Sequence, residues 1–225
     1  MKRHALTTRL WHWINAIALV ILFMSGLNIS NAHRLLYWGD YGFDPADAWF
    51  AVARFPGWMT LPQYYDLAAA RDWHFLAAWV FAIGLAVMWL ASLINGHFWR
   101  DIATSKSDWS VKTMVSELRD YINRRAESGE EYNRFQRIAY GLVLGILLPL
   151  MILTGLAMSP GFEVSMPWLV EILGGRQSAR SLHFIVSWAL FGFFVIHLFM
   201  LVLSSPVRRL SDMITGGRRQ DQSNG

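Results

Sequence analysis

The stretch from Ser181 to Ser204 reads SLHFIVSWALFGFFVIHLFMLVLS, and it decides the fold class. It contains no Asp, Glu, Lys or Arg, and it exceeds the roughly 20 apolar residues that carry a helix across a bilayer. Its ionisable side chains are two histidines, His183 and His197. The stretch therefore predicts a transmembrane helix with a histidine toward each end.

Three more apolar runs of similar length indicate a multi-pass membrane protein. The four predicted spans are 11–29, 73–94, 137–158 and 181–204. A hydrophobic content of 54% is too high for a soluble chain of 225 residues. Spanning strands are not viable, because lipid cannot satisfy the polar groups at the edge of an open sheet. We predict an all-α fold, with one four-helix transmembrane domain over 1–215 and a polar tail over 216–225.

The distribution of basic residues predicts the orientation of the helices. The positive-inside rule places segments rich in Lys and Arg in the cytoplasm. With both termini inside, the cytoplasmic segments hold fifteen of the twenty Lys and Arg residues. Both termini are therefore predicted to be cytoplasmic, and the basic residues indicate no nucleic-acid partner. A cleaved leader over 1–30 is not expected, because Trp-His-Trp at 11–13 is unusual in a leader and the apolar run is too long.

Two segments outside the spans have distinctive patterns. An external loop over about 30–72 is too aromatic for a disordered segment. It fits either an aromatic belt at the membrane interface or a docking surface for a partner. In the cytoplasmic loop, Asp108 is a candidate N-cap for an amphipathic helix over about 109–126. Its apolar face and flanking basic residues are typical of an interfacial helix on an anionic leaflet of the lipid bilayer.

Four of the seven histidines lie within the predicted spans, and their depths form two pairs. Ionisable residues inside a membrane are costly and generally functional, the alternative being a histidine that hydrogen-bonds across the bundle. The alternating directions of the spans place His12 and His197 near the cytoplasmic side, and His74 and His183 near the external side. His197 follows His183 by 14 residues, so it lies about 21 Å deeper on nearly the same helix face.

Two imidazole pairs at two depths predict two bis-histidine b-type haems. Two neutral imidazoles fill both axial positions of a haem iron, which then transfers electrons without binding oxygen. The inner haem is predicted on His12 and His197, and the outer haem on His74 and His183, these four residues being the metal ligands. The absence of Cys excludes cysteine-bound iron–sulfur clusters and haem attached through a CXXCH motif. A non-redox scaffold with structural histidines is the competing hypothesis.

A repeated motif places an arginine one helical turn before three of these histidines. The motif reads RLWHW from residue 9, RDWHF from residue 71 and RSLHF from residue 180. Residues three apart share a helix face, and a guanidinium group binds carboxylates bidentately. We therefore predict that Arg9, Arg71 and Arg180 bind the haem propionates. The alternative for each is a cation that snorkels to the membrane interface.

A faint internal repeat accompanies the histidines. The tripeptide SGL at 25–27 in the first span matches TGL at 154–156 in the third, which suggests two related helical pairs. Gly26 and Gly155 leave room either for a flat macrocycle or for close helix packing. The remaining histidines lie in polar or interfacial positions and are predicted to be solvated; they are His4, His33 and His97.

These features resemble those of a known family. The chain is similar over most of its length to the four-helix, di-haem cytochrome b subunits of nickel–iron hydrogenase, formate dehydrogenase and thiosulfate reductase, within the broad cytochrome b561-like group. The resemblance rests on RLWHW and RDWHF, on YNRFQR and TGL around the third span, and on the spacing of His183 and His197. The long aromatic external loop departs from the hydrogenase and formate dehydrogenase subunits, which leaves the identity of the partner open.

The resemblance implies an integral subunit of the bacterial inner membrane that transfers electrons between the quinone pool and an external redox partner. That partner would be a periplasmic or membrane-attached redox subunit, such as a molybdenum enzyme, or a c-type cytochrome. The resemblance also implies a quinone site beside the inner haem, where Asn133, Gln136 and Arg137 occupy the corresponding place. The alternative function is a free-standing quinone-coupled superoxide or ferric reductase.

Overall fold

Three long helices dominate the computed structural model, which describes residues 6–42, 44–94, 138–139, 141–203 and 206–216. The helices of eight or more residues are α1 (Leu6–Ala32), α2 (Leu67–Ile94), α3 (Leu148–Ala157), α6 (Arg176–Leu203) and α7 (Pro206–Thr215). Two short helices, α4 (Pro160–Ser165) and α5 (Pro167–Ile172), connect α3 to α6. We call the end of the bundle where α1 ends and α6 begins the outer end.

The long helices confirm three of the predicted spans. Each contains an apolar stretch that is long enough to cross a membrane, namely Arg9–Ala32, Leu67–Ala91 and Arg176–Val202. At about 1.5 Å per residue, each stretch exceeds the roughly 30 Å thickness of the hydrocarbon core. Their outward sides expose large apolar residues such as Ile17, Ile83 and Ile196. Exposure of such apolar surfaces to water is unfavourable, and the hydrocarbon core of a membrane removes this cost because it shields them from water.

The third predicted span is shorter and less regular in the structure. A five-residue π-helical turn, Val143–Leu147, leads directly into α3. Pro149 follows this turn, and because proline has no backbone N–H it cannot continue the regular α-helical bonds. The helix accommodates this proline with a π turn on its N-terminal side. The count of four spans stays a prediction.

The helices pack as two neighbouring pairs. α1 packs along α2, and α3 packs along α6. A buried cluster connects the two pairs, with Ala18 on α1, Phe81 and Leu85 on α2, and Val143 and Leu148 at the start of the third apolar segment. This arrangement agrees with the related helical pairs suggested by the internal repeat.

The external loop is ordered and contains the one departure from an all-α fold seen in the described residues. Strand β1 (Leu35–Leu36) pairs antiparallel with β2 (Phe50–Ala51), in a ribbon of two residues per strand. One 3-10 turn, Pro45–Asp47, lies between the two strands, and a second, Gly57–Met59, follows β2. The sequence did not reveal the ribbon, because two residues per strand are too few to show an alternating pattern.

Side chains from two helices fix this loop over the outer end of the bundle. On α1, Asn28 Nδ2 donates to the carbonyl oxygens of Pro62 and Tyr64, at 3.0 and 2.9 Å. On α6, Ser181 Oγ donates to the carbonyl of Tyr37 at 2.6 Å and accepts from Trp49 Nε1 at 3.0 Å. The loop therefore bridges α1 and α6 directly above the outer histidines.

Several predicted features lie outside the described residues. They are the amphipathic helix over 109–126, the candidate quinone-site residues Asn133, Gln136 and Arg137, the histidines His4 and His97, and the tail after Gly216.

Candidate haem site

The outer histidines face each other from two helices. His74 on α2 and His183 on α6 have ring centres 6.3 Å apart, with the ring planes at 60°. Two imidazoles that bind one metal from opposite sides, through bonds of about 2 Å, have ring centres roughly 6 Å apart. The separation of this outer pair therefore fits the two axial ligands of one haem.

Each outer histidine also meets a buried hydroxyl group from the neighbouring helix. Ser25 Oγ on α1 lies 3.0 Å from His74 Nδ1. Thr154 Oγ1 on α3 lies 2.9 Å from His183 Nδ1. Both hydroxyl residues are completely buried. The two halves of the outer pair are therefore built in the same way, with one helix supplying the imidazole and its neighbour supplying the hydroxyl.

The hydrogen bonds of these hydroxyls assign the tautomer of each imidazole. Ser25 Oγ donates to the carbonyl of Ile21 at 2.6 Å, and Thr154 Oγ1 donates to the carbonyl of Leu150 at 2.7 Å. A hydroxyl has a single proton to donate, so it acts as an acceptor toward the imidazole. Nδ1 of each histidine therefore carries the proton, and Nε2 keeps the lone pair that a metal requires.

A glycine follows each hydroxyl residue and contacts the same imidazole. A methyl group added to Gly26 would lie 3.6 Å from His74 Cε1, and one added to Gly155 would lie 3.5 Å from His183 Cε1. These are ordinary van der Waals distances, so each ring edge packs against a glycine. The repeat seen as SGL and TGL in the sequence is thus present as two equivalent histidine supports.

The inner histidines are also brought near each other, from α1 and α6. His12 and His197 lie close enough to interact electrostatically. His197 stacks on Phe193 one turn earlier, with ring centres 6.2 Å apart. The Nδ1 atom of His12 is buried and has no hydrogen-bond partner among the described residues. The inner pair therefore lacks, at His12, the hydroxyl support that both outer histidines have.

Arg9 lies one turn before His12 and is unusually buried for a charged side chain. It is 9% exposed, and its Nη1 donates to the carbonyl of Ile214 near the end of α7 at 2.8 Å. Its Nε is buried with no hydrogen-bond partner in the described part of the chain. A buried cation with an unused donor favours an anionic group nearby. The surroundings of Arg9 are therefore consistent with the prediction that it binds a haem propionate.

The two outer arginines both act electrostatically on His33. Partial desolvation and the positive charges of Arg180 and Arg71 lower the pKa of His33, which places all three groups within electrostatic range. Arg180 donates to Gln177 Oε1 at 2.9 Å, and neither arginine pairs with a carboxylate among the described residues. His33 itself is exposed, as predicted for a solvated histidine. Two guanidinium groups without a carboxylate partner suit the two carboxylates of a haem.

The residues present therefore fit a haem at the outer pair. Across residues 6–42, 44–94, 138–139, 141–203 and 206–216, no group of three or more His, Cys, Asp or Glu could hold a metal ion. A bis-histidine haem needs only two protein ligands, because the macrocycle supplies the other four. Sequence reasoning found the imidazoles and missed the two hydroxyls, although both stand beside the glycines of the SGL and TGL repeat.

Membrane-capable helices that present histidine pairs are typical of cytochromes that carry haem within the bilayer. Residues 3–216 match the model of the prokaryotic cytochrome b561 family, and the chain belongs to this family. It is thus a bacterial multi-pass membrane protein, a b-type cytochrome that binds haem b and transfers electrons as a subunit of an oxidoreductase system. The resemblance stated from the sequence is confirmed.

Two relatives illustrate the range of systems in which similar chains occur. The chain is 30% identical to the "Putative protein-methionine-sulfoxide reductase subunit YedZ1" of Azospira oryzae, over 92% of this chain and 93% of that protein. It is 26% identical to the "Probable Ni/Fe-hydrogenase B-type cytochrome subunit" of Cupriavidus necator, over 93% of this chain and 83% of that protein. The names of these two relatives assign them to different redox systems.

Proposed function

We propose that the chain carries two bis-histidine haems and transfers electrons across the bacterial inner membrane, between the quinone pool and a redox partner on the external face. The observation that carries the proposal is the outer pair, with ring centres 6.3 Å apart and both Nδ1 atoms facing hydroxyl acceptors. His12 and His197 supply the second pair near the other end of α1 and α6. Each bound haem supplies one reversible Fe(III)/Fe(II) couple.

The chain's own residues would perform three tasks in this function. The four histidines hold the two redox centres at two depths, about 21 Å apart along α6. Arg9, Arg71 and Arg180 bind the propionates, since none of them has a carboxylate partner among the described residues. The apolar helices exclude water from the path between the centres. Quinone binding beside the inner pair, by Asn133, Gln136 and Arg137, follows from the family resemblance alone.

The proposed topology has four spans, both termini in the cytoplasm, and one domain over 1–215 that ends before the polar tail. The distribution of Lys and Arg supports this orientation. It places the outer pair, and the loop that covers it, on the external face. The partner in this proposal is a periplasmic or membrane-attached redox subunit, and the hydrogenase and sulfoxide-reductase relatives support that choice.

The haem content of the purified chain tests the proposal directly. After expression with sufficient haem, we expect a reduced-minus-oxidised spectrum of b type and two haems per chain. Two haems are expected because each pair offers two imidazoles, and each haem iron uses two. A preparation that contains the folded chain and no Soret band would contradict the proposal and favour a non-redox scaffold.

The external loop supplies the proposed docking surface for the partner. Trp58, Tyr64 and Tyr65 are exposed on it, and the guanidinium carbon of Arg54 lies 6.0 Å from the centre of the Tyr65 ring. Exposed aromatic and arginine side chains are enriched at protein interfaces. The same loop is fixed to α1 and α6 above the outer pair, so a partner bound there would be near the outer haem.

Replacing two of these aromatic residues should show whether the loop is a docking surface for a partner or an aromatic belt that anchors the chain at the membrane interface. We expect Trp58→Ser combined with Tyr64→Ser to weaken association with the partner at least tenfold, because exposed interface aromatics supply a large share of binding energy. Co-purification and partner-driven haem reduction measure the effect, with haem content unchanged as the control. If association is unaffected while extraction from the membrane becomes easier, the loop is an aromatic belt.

A further inference from the structure

The support of His12 differs from that of the outer histidines in one respect. His74 and His183 each have a hydroxyl acceptor at Nδ1. His12 Nδ1 is buried and has no partner among the described residues. A histidine that binds iron through Nε2 carries its proton on Nδ1, so His12 would present a buried N–H without an acceptor. Such groups are rare in native proteins.

Asn15, three residues after His12 on α1, has a buried hydrogen-bond acceptor that receives no donor among the described residues. Its side chain is buried at 5% exposure, and Nδ2 donates to the carbonyl of Trp11 at 2.8 Å. Since a carbonyl can only accept, this bond fixes the orientation of the amide and leaves Oδ1 as the free acceptor. Oδ1 is buried and has no hydrogen-bond partner within the described residues. Residues three apart share a helix face, so the unused acceptor and the unused donor belong to the same side of α1.

Contacts with α2 hold the side-chain amide of Asn15 in position. Trp11 Nε1 donates to the carbonyl of Gly84 on α2 at 2.9 Å. A methyl group added to Gly84 would come within 3.3 Å of Asn15 Nδ2 and 3.4 Å of Oδ1. The amide therefore packs directly against the backbone of α2. It is confined beside the turn that contains His12.

We propose that Asn15 is a positioning residue for the inner haem ligand, with its Oδ1 accepting the Nδ1–H of His12 in the haem-bound protein. The inference rests on the proposed function for the haem itself. Asn15 would orient His12 as Ser25 and Thr154 orient the outer histidines. An acceptor at Nδ1 also makes the imidazole more basic, which stabilises the oxidised iron and lowers the midpoint potential of that haem.

Redox titration of the full-length protein carrying Asn15→Leu tests this role. The inner haem is identified as the one that is lost in His12→Leu. We expect its midpoint potential to rise in Asn15→Leu, while the outer haem keeps its potential and the protein keeps two haems. Ser25→Ala is the matched control, because it removes an acceptor from the outer pair and should raise the outer potential only.

Gly84→Ala provides a second test that changes no polar group. Its added methyl group would displace the Asn15 amide by a few tenths of an ångström, so a smaller upward shift of the same haem is expected. If Asn15→Leu loses the inner haem, its midpoint potential cannot be measured in that variant, and the potential of the inner haem in Gly84→Ala then tests the role of Asn15. Unchanged inner potentials in these variants, or a shift confined to the outer haem, would overturn the role of Asn15. A wild-type protein without haem would overturn the proposed function instead.

Discussion

Replacing His183 with leucine is expected to remove the outer haem and leave the inner one, and replacing His197 is expected to do the reverse. Each substitution deletes one of the two imidazoles of a pair, and leucine offers no ligand in its place. Haem content should fall from two per chain to one in both variants. A redox titration should then show that a different haem remains in each, because the two sites differ in their surroundings.

The partner histidines give this experiment its internal check. His74→Leu should match His183→Leu, and His12→Leu should match His197→Leu. His33→Leu is the control, since His33 is exposed near the outer pair and belongs to neither pair. Loss of the same haem from His183→Leu and His197→Leu would show that the pairs are not arranged in two layers, and loss of haem from His33→Leu would show that the outer ligands are misassigned.

Hydropathy along the chain was sufficient to predict the long helices and the histidines they carry. Span 181–204 lies within α6 (Arg176–Leu203) apart from its last residue, and span 73–94 lies within α2 (Leu67–Ile94). Both helices begin several residues earlier than their apolar runs, because polar residues such as Arg176 and Arg71 continue the helix beyond the hydrocarbon. The alternating directions of the spans also predicted that His74 and His183 lie at one depth, and the structure brings these two rings together.

The features that were not predicted depend on tertiary contacts. The π turn at Val143–Leu147 leaves no pattern in the sequence that distinguishes it from a regular helix. Ser25 and Thr154 are ordinary small polar residues in a helix until α2 and α6 place an imidazole beside each of them. Arg9 is similar: nothing in the sequence indicated that its guanidinium would bind the carbonyl of Ile214, more than 200 positions away.

Removing both hydroxyl acceptors, with Ser25→Ala and Thr154→Val, is expected to weaken binding of the outer haem about 10- to 100-fold, the usual effect of losing groups that orient metal ligands. Both substitutions nearly preserve side-chain volume and delete the atoms that lie 3.0 and 2.9 Å from the histidine Nδ1 atoms. Haem retention during dilution measures the change in affinity. Where haem remains, its midpoint potential should be higher than in the wild type.

The single substitutions should have smaller effects than the pair. Each single variant removes the acceptor from one axial histidine and leaves the other histidine with its hydroxyl. In the double variant neither ring keeps a hydroxyl acceptor. The upward shift of the outer potential should therefore grow from either single variant to the double variant.

Ser30→Ala is the matched control for the loss of a helical hydroxyl. Ser30 lies on α1 five residues beyond Ser25 and donates to the carbonyl four residues earlier, that of Gly26, at 2.9 Å. Ser25 makes the same kind of backbone bond, and only Ser25 is also placed against a histidine. If Ser30→Ala shifts the outer haem as strongly as Ser25→Ala, the effect comes from the helix backbone. If the potential of the outer haem shifts only in the Ser25 and Thr154 variants, the hydroxyls of these two residues act through the histidine Nδ1 atoms.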